Sequence, residues 1–231
     1  MDTVPAEPWS HNLHYHRVVL DAIPAGCRRA LDAGCGTGAL TRNLRRVIPQ
    51  VTGIDRDERS VAIARAHPQA RDIGYRQEDF LTATLEEGSF GLVTSVAALH
   101  HMDTAAALTR MAELLEPGGV LAVVGLARGP SPAGLVLTVP AVAGSRVHRA
   151  TASRPSCRSG PAYQPPIVWP PPQTYRQTRR LAGQLLPGVR YRRHLYWRYS
   201  LIWVKPSSPV PWRPGGRWLT QADPDADGAA G

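Results

Sequence analysis

Arg29-Ala30-Leu31-Asp32-Ala33-Gly34-Cys35-Gly36-Thr37-Gly38-Ala39-Leu40 is the stretch that decides the fold of this chain. A short apolar run predicts a buried strand, the glycines force a turn, and Ala39-Leu40 opens a helix. Gly34 and Gly36 lack the Cβ atoms that would hold a ligand off the backbone, and the amides at the helix start face whatever sits over the turn. This is the layout of a nucleotide cradle. G-x-G-x-x-A also fits a dinucleotide fold, so the surroundings must discriminate. Asp32 stands two residues before the first glycine, Gly38 extends the pattern to acidic-x-G-x-G-x-G, and a second strand, Val51-Thr52-Gly53-Ile54, ends in Asp55.

Outward from the turn, helical and strand periods alternate. Trp9 to Ile23 predicts a helix with Leu13, Arg17 and Leu20 on one face, Ser10 as cap and Pro24-Ala25-Gly26 as stop. Leu40, Leu44 and Val47 line the helix after the turn. Asp57 caps the next one, whose inner face is read as Val61, Ile63 and Ala64. Ile73 to Gln77 forms a third strand and Phe90 to Val96 a fourth, apolar almost throughout, as a strand covered on both faces requires. Thr104 to Leu115 follows as a helix, and Glu116-Pro117-Gly118-Gly119 turns into a strand from Val120 to Leu126. Alternation of this kind predicts a doubly wound parallel sheet, with Asp32, Asp55, Asp79, Ser95 and Arg128 all at strand carboxyl ends, where such sheets bind ligands. Ala133 to Ala143 reads as a short apolar helix and Thr151 to Pro172 as a long proline loop. Gln173 to Leu186 is helical again, and Val189 to Tyr196 and Tyr199 to Val204 lie too close for a parallel crossover, so they predict an antiparallel hairpin.

At 231 residues the chain suits one well-buried domain with extensions. Its 43% hydrophobic and 6% aromatic content is that of a soluble globular protein, and its 22 prolines concentrate after residue 129. No run approaches the roughly 18 apolar residues of a membrane span, and Met1-Asp2 opens no basic leader, so a cytoplasmic location is expected. Cys27, Cys35 and Cys157 have neither zinc-like spacing nor an even count, which favours reduced thiols. Net charge is +9, and no acidic residue stands between Glu116 and Asp223, an interval rich in arginine. Such a field attracts phosphates or carboxylates. A GC-rich coding bias produces the same composition, since Lys205 is the only lysine.

This order of motifs resembles the class I S-adenosylmethionine-dependent methyltransferases, in the type 11 group that includes ubiquinone and menaquinone methyltransferases. The resemblance is specific over residues 30 to 126 and looser over 9 to 205. It implies an α/β, Rossmann-like, doubly wound, mostly parallel seven-stranded sheet with a C-terminal antiparallel hairpin, and S-adenosyl-L-methionine as cofactor. It divides the chain into an N-terminal lid helix (1–28), a methyltransferase domain (29–205) with a loop-rich substrate-side insertion (129–172), and a disordered tail (206–231). Asp32, Gly34 and Gly36 are implied to hold the methionine part, the acid near its ammonium group. Asp55 is implied to accept both ribose hydroxyls, Asp79 to reach the adenine amino group, Phe80 to cover the ring and Ser95 to border the sulfonium. Cys35, Arg56 and Tyr15 complete the cofactor set. His101, in Leu99-His100-His101-Met102, is the candidate general base, because imidazole titrates near neutrality. Arg128 and His16 are the candidates on the substrate side. Plainer roles stand beside these: a turn carboxylate for Asp32, a loop acid or cap for Asp79, a packed histidine for His101. No metal is expected, since His14 and His16 fall on different helix faces and no cysteine or carboxylate completes a set.

The implied activity is methyl transfer to a small-molecule acceptor, with proximity supplying most of the rate. Two rivals share the motif. An NAD(P)-dependent oxidoreductase fits Gly34, Gly36, Ala39 and Asp55, but the Tyr-x-x-x-Lys of short-chain dehydrogenases is excluded, because Leu201 stands four before the sole lysine. An RNA or other nucleic-acid methyltransferase would use the basic half. Ser95-Val96-Ala97-Ala98 stands where amino-directed enzymes of that kind carry Asn-Pro-Pro-Tyr.

Overall fold

The computed structural model describes residues 11–129 and 168–207. Helix α1 (His11–Leu20) leads to strand β1 (Arg29–Ala33), where Leu31 and Ala33 are fully buried. The chain then passes Gly34, Gly36 and Gly38, all at positive φ, into helix α2 (Ala39–Arg45). Strand β2 (Gln50–Asp55), helix α3 (Glu58–Ala66) and strand β3 (Ile73–Gln77) complete the first half. The second half contains strand β4 (Phe90–Val96), a 3-10 turn (Leu99–His101), helix α4 (Thr104–Leu114) and strand β5 (Leu115–Leu126). Helix α5 (Tyr175–Leu185) and strands β6 (Arg190–Arg193) and β7 (Arg198–Val204) follow.

These strands form one sheet in the order β3-β2-β1-β4-β5-β7-β6. The five strands β1 to β5 are parallel, whereas β7 runs antiparallel between β5 and β6. The order in which strands are added reverses between β1 and β4, which opens a crevice at their carboxyl ends. Alternate residues feed two cores. Leu31, Val93, Leu121 and Val123 pack with Leu108, Met111 and Ala182 of α4 and α5, and Ala30, Leu92, Ala122 and Val124 pack with Val19, Leu40 and Leu44 of α1 and α2. Burial of each large aliphatic side chain contributes about 1.5–3 kcal/mol, so the central strands carry most of the stability.

Helix starts follow local chemistry. Asp57 accepts from the Ser60 amide at 2.7 Å, Asp103 from Ala106 at 2.8 Å, and Thr174 with Gln177 forms a capping box. Two inner-face expectations need correction. Val47 lies past the end of α2 and is 64% exposed, its place taken by buried Ile48. Ile63 is 39% exposed, because Val61 and Ala64, one helical step apart, turn inward and leave it outside. Glu116 to Gly119 is not a separate turn either, since β5 already begins at Leu115, opposite Phe90, with a register shift before Leu92. The expected helix at 133–143, most of the proline loop at 151–172 and all but the first two residues of the tail at 206–231 lie outside the described residues. Among the described residues no helix is long and apolar enough to cross a membrane.

Candidate active site

Asp32, near the end of β1, is buried, and its Oδ2 accepts a 2.7 Å hydrogen bond from the Thr41 hydroxyl on the first turn of α2. Burial pushes its carboxyl up to about 7; the Thr41 bond opposes this and the nearby Asp55 charge adds to it. The glycine turn that follows is fastened to β2, because the amides of Gly34 and Cys35 both donate to the Ile54 carbonyl, at 2.8 and 3.0 Å. Gly36 donates to Asp55 Oδ2 at 2.8 Å, and the Asp57 amide donates to Asp55 Oδ1 at 2.9 Å. Each carboxylate oxygen of Asp55 therefore holds one backbone amide and keeps acceptor capacity for a diol.

Gly34 and Gly36 serve different ends. At φ +78 a Cβ on Gly34 would collide with the Ala98 side chain, so this glycine lets the β1 turn and the loop after β4 approach each other. At Gly36, φ +52, a Cβ would meet nothing within 4 Å. That open face, bordered by Asp55, is the cradle a cofactor chain would fill.

Across the crevice, Ser95 near the end of β4 is buried, and its Oγ has no hydrogen-bond partner among the described residues. The loop beyond it carries Ala97 at φ 56 and then His100 and His101, whose rings lie 4.2 Å apart. The His101 imidazole is shifted down by burial and then by the Arg56 charge, with Asp55 opposing. His100 is pushed down to about 4 by burial, then by the charges of His101 and Arg198. Its buried Nδ1 has no partner among the described residues.

The sequence candidates divide accordingly. Asp32, Gly34, Gly36, Asp55, Arg56, Ser95 and His101 gather along the carboxyl edge of β1, β2 and β4. Asp79 lies exposed just past β3, its Oδ1 accepting from the Leu81 amide at 2.8 Å. Phe80 does not present its ring there, because the side chain is buried in the core beneath the Arg110 guanidinium, 5.7 Å from its centroid. Cys35 likewise turns its thiol inward against Val61, Ala64 and Tyr75, and burial pushes the thiol pKa up, so only its backbone faces the turn. Tyr15 donates to the Leu195 carbonyl at 2.9 Å and packs near His194 and Arg198, which ties α1 to the β6–β7 turn. His16 is buried with Nδ1 3.3 Å from Asn43 Nδ2 of α2, a helix–helix seam instead of a substrate wall. Arg128 straps the chain before α5, its guanidinium bonding the Pro172 carbonyl at 3.1 Å and its backbone pairing with Gln173 and Tyr175. Among the described residues no group of three or more His, Cys, Asp or Glu is placed to hold a metal.

Sequence reasoning gave no separate role to Thr41 or His100, and took Arg198 only as one of many arginines able to clamp an anion. Thr41 was findable as a hydroxyl beside the inward-facing Leu40 and Leu44. Burial sets Arg198 apart from Arg190, Arg192 and Arg193, and no local pattern signals it.

A Rossmann-like crevice with an acidic, glycine-lined cofactor edge defines the class. The family model described as a methyltransferase domain matches residues 31–123. An uncharacterized methyltransferase of Mycobacterium tuberculosis is 37% identical over 201 residues, spanning 87% of this chain and 98% of that protein. A ubiquinone biosynthesis O-methyltransferase of Xanthomonas axonopodis is 38% identical over 112 residues, 47% of this chain and 46% of its own length. Among solved structures, the N-methyltransferase NodS from Bradyrhizobium japonicum shares the fold, with a TM-score of 0.57 at 16% identity over 84% of this chain and 96% of that one. The chain belongs to the class I S-adenosylmethionine-dependent methyltransferases, and S-adenosylmethionine is its cofactor.

Proposed function

We propose that this chain transfers a methyl group from S-adenosylmethionine to a small-molecule acceptor seated on the β5–β7 side of the crevice. The bound cofactor supplies an activated methyl, so the protein's task is to hold donor and acceptor in line and keep water out. In this reading Asp32 faces the cofactor ammonium, Asp55 takes the ribose hydroxyls, Asp79 reaches the adenine, and the Ser95 hydroxyl borders the methyl. His101, next to Asp55, accepts a proton from the acceptor, and α1 serves as a lid. The observation that carries the reading is the fastening of Gly36 to Asp55 directly across from the β4 loop, which leaves one open, acid-bordered cradle beside two imidazoles. A shallow, open hollow of about 590 Å³ lies at the same sheet edge, between α1 and the β6–β7 turn.

Calorimetric titration with S-adenosylmethionine and S-adenosylhomocysteine tests this directly. Asp55→Ala is expected to weaken both by at least about tenfold, the loss of one charge-assisted hydrogen bond, whereas His101→Ala is expected to leave them intact and lower turnover. Unchanged cofactor affinity in Asp55→Ala would sink the ribose assignment.

A further inference from the structure

The hollow beside the cofactor crevice has a consistent electrostatic character. Among the described residues it is lined by His14, Tyr15, Arg193, His194 and Leu195, a set with one permanent cation, two imidazoles and no carboxylate. Arg198 lies just behind it, 7% exposed, with its guanidinium 6.0 Å from the Tyr15 ring. The position follows from topology. β7 is antiparallel to β5, so its first residue, Arg198, pairs with Leu126 at the carboxyl edge where the parallel strands end. His100 and His101, their rings 4.2 Å apart after β4, and Arg198, beside Tyr15 at the start of β7, therefore stand at the same edge of the sheet as Asp55.

The turn that presents Arg198 is built at a cost. Tyr196 and Trp197 both have positive φ, 58 and 57, at the centre of a turn in which the Arg198 amide donates to the Leu195 carbonyl at 3.3 Å and the His194 amide to the Arg198 carbonyl at 2.8 Å. That conformation favours Asn-Gly, and bulky side chains held in it mark strain that clusters at functional sites. The turn is held from two sides, by Tyr15 on the Leu195 carbonyl and by the Ala127 amide on the Trp197 carbonyl at 3.1 Å. An apolar flank accompanies the cations, with exposed Leu195 and the edge-on pair Trp169–Trp197, 5.4 Å between centroids.

We propose that this hollow is the acceptor subsite and that it takes the anionic oxygen group, a carboxylate or a phosphate, of a small acceptor with an apolar body, held by Arg193 on the rim and drawn by the buried charge of Arg198 behind Tyr15. The inference rests on the methyl-transfer reading above. Arg198 is withdrawn from water among tyrosines, where a guanidinium gains more from an oxyanion than it would on the surface. An anion there also offsets the Arg198 charge that, with burial, holds the proton affinity of His100 down.

The test is calorimetry on the protein saturated with S-adenosylhomocysteine, using benzoate, phenyl phosphate and neutral benzamide as probes. At least one anion is expected to bind about tenfold or more tighter than benzamide, and the better of the two identifies the group. Arg198→Gln is expected to reduce that preference several-fold while S-adenosylhomocysteine affinity stays unchanged. Should the buried substitution impair folding, Arg193→Gln, on the open rim, is expected to reduce the preference several-fold in a folded protein. Equal binding of benzoate, phenyl phosphate and benzamide, no anion binding at all, or an undiminished preference in the folded variants overturns the proposal. Failure of S-adenosylhomocysteine itself to bind is a separate result, which removes the methyl-transfer reading and the acceptor role with it.

Discussion

Two glycines two residues apart meet opposite constraints. Gly34→Ala combines a left-handed backbone with a collision against Ala98, and the expected loss is at least about 2 kcal/mol of stability. Gly36→Ala carries only the conformational cost, about 1 kcal/mol, but places a methyl in the open cradle beside Asp55 and should lower cofactor affinity. Urea denaturation and calorimetry on the two variants separate these effects, and equal stability losses would show that the two positions are not distinguished as described. Glycine spacing was plain in the sequence, yet both residues read alike there. Only the approach of Ala98, sixty-four residues away in the chain, tells them apart.

At the scale of elements, the β6–β7 hairpin is the unit with local strain. Replacing Tyr196-Trp197 by Asn-Gly supplies the residues this turn conformation prefers and is expected to stabilise the protein by about 1–3 kcal/mol, provided the lost aromatic packing is smaller. Turnover is expected to fall, because Leu195 and Arg198 flank the turn and face α1 and the crevice. Thermal denaturation with an activity assay checks both signs, and a destabilised variant would mean that aromatic packing, not backbone strain, dominates the turn. The hairpin itself was legible in the short spacing between its two β-rich runs. Its insertion order was not, since nothing local tells β7 to pair with β5 and leave β6 at the edge.

For the whole molecule, buried titratable groups set opposing pH dependences. His16 and His100 are both held down near 4 by burial, from an ordinary 6.5. The unfolded chain thus takes up protons below about 6.5 that the folded chain refuses until about 4, and stability falls as pH drops through that window. Asp32 acts in the reverse direction. Its carboxyl, raised from 3.8 to about 7, keeps a proton in the fold that the unfolded chain has released, so this contribution is lost as pH rises from about 4 to 7. Substituting both histidines by glutamine is expected to flatten the acid limb, and Asp32→Asn to raise the urea midpoint above pH 7 while weakening cofactor binding. Urea midpoints at several pH values between 4 and 8 decide it; an unaltered profile in the histidine variant would place the acid sensitivity elsewhere.

The sequence by itself determined the class of fold, the order of strands and helices from β1 to β5, and the acidic glycine edge, because these are written in periods of two and 3.6 residues and in turn chemistry that acts within a few positions. Tertiary structure decided which side chains look into the crevice. Phe80 and Cys35 sit beside candidate ligands in the chain, yet their side chains fall on the core side of the backbone, where apolar burial outweighs proximity to the site. His16 joins Asn43, Thr41 holds Asp32, and Arg198 comes to the carboxyl edge of the sheet only because an antiparallel strand delivers it where five parallel strands end. Such pairings join segments far apart along the chain, and their geometry is set by how the layers pack, which no local pattern of residues encodes.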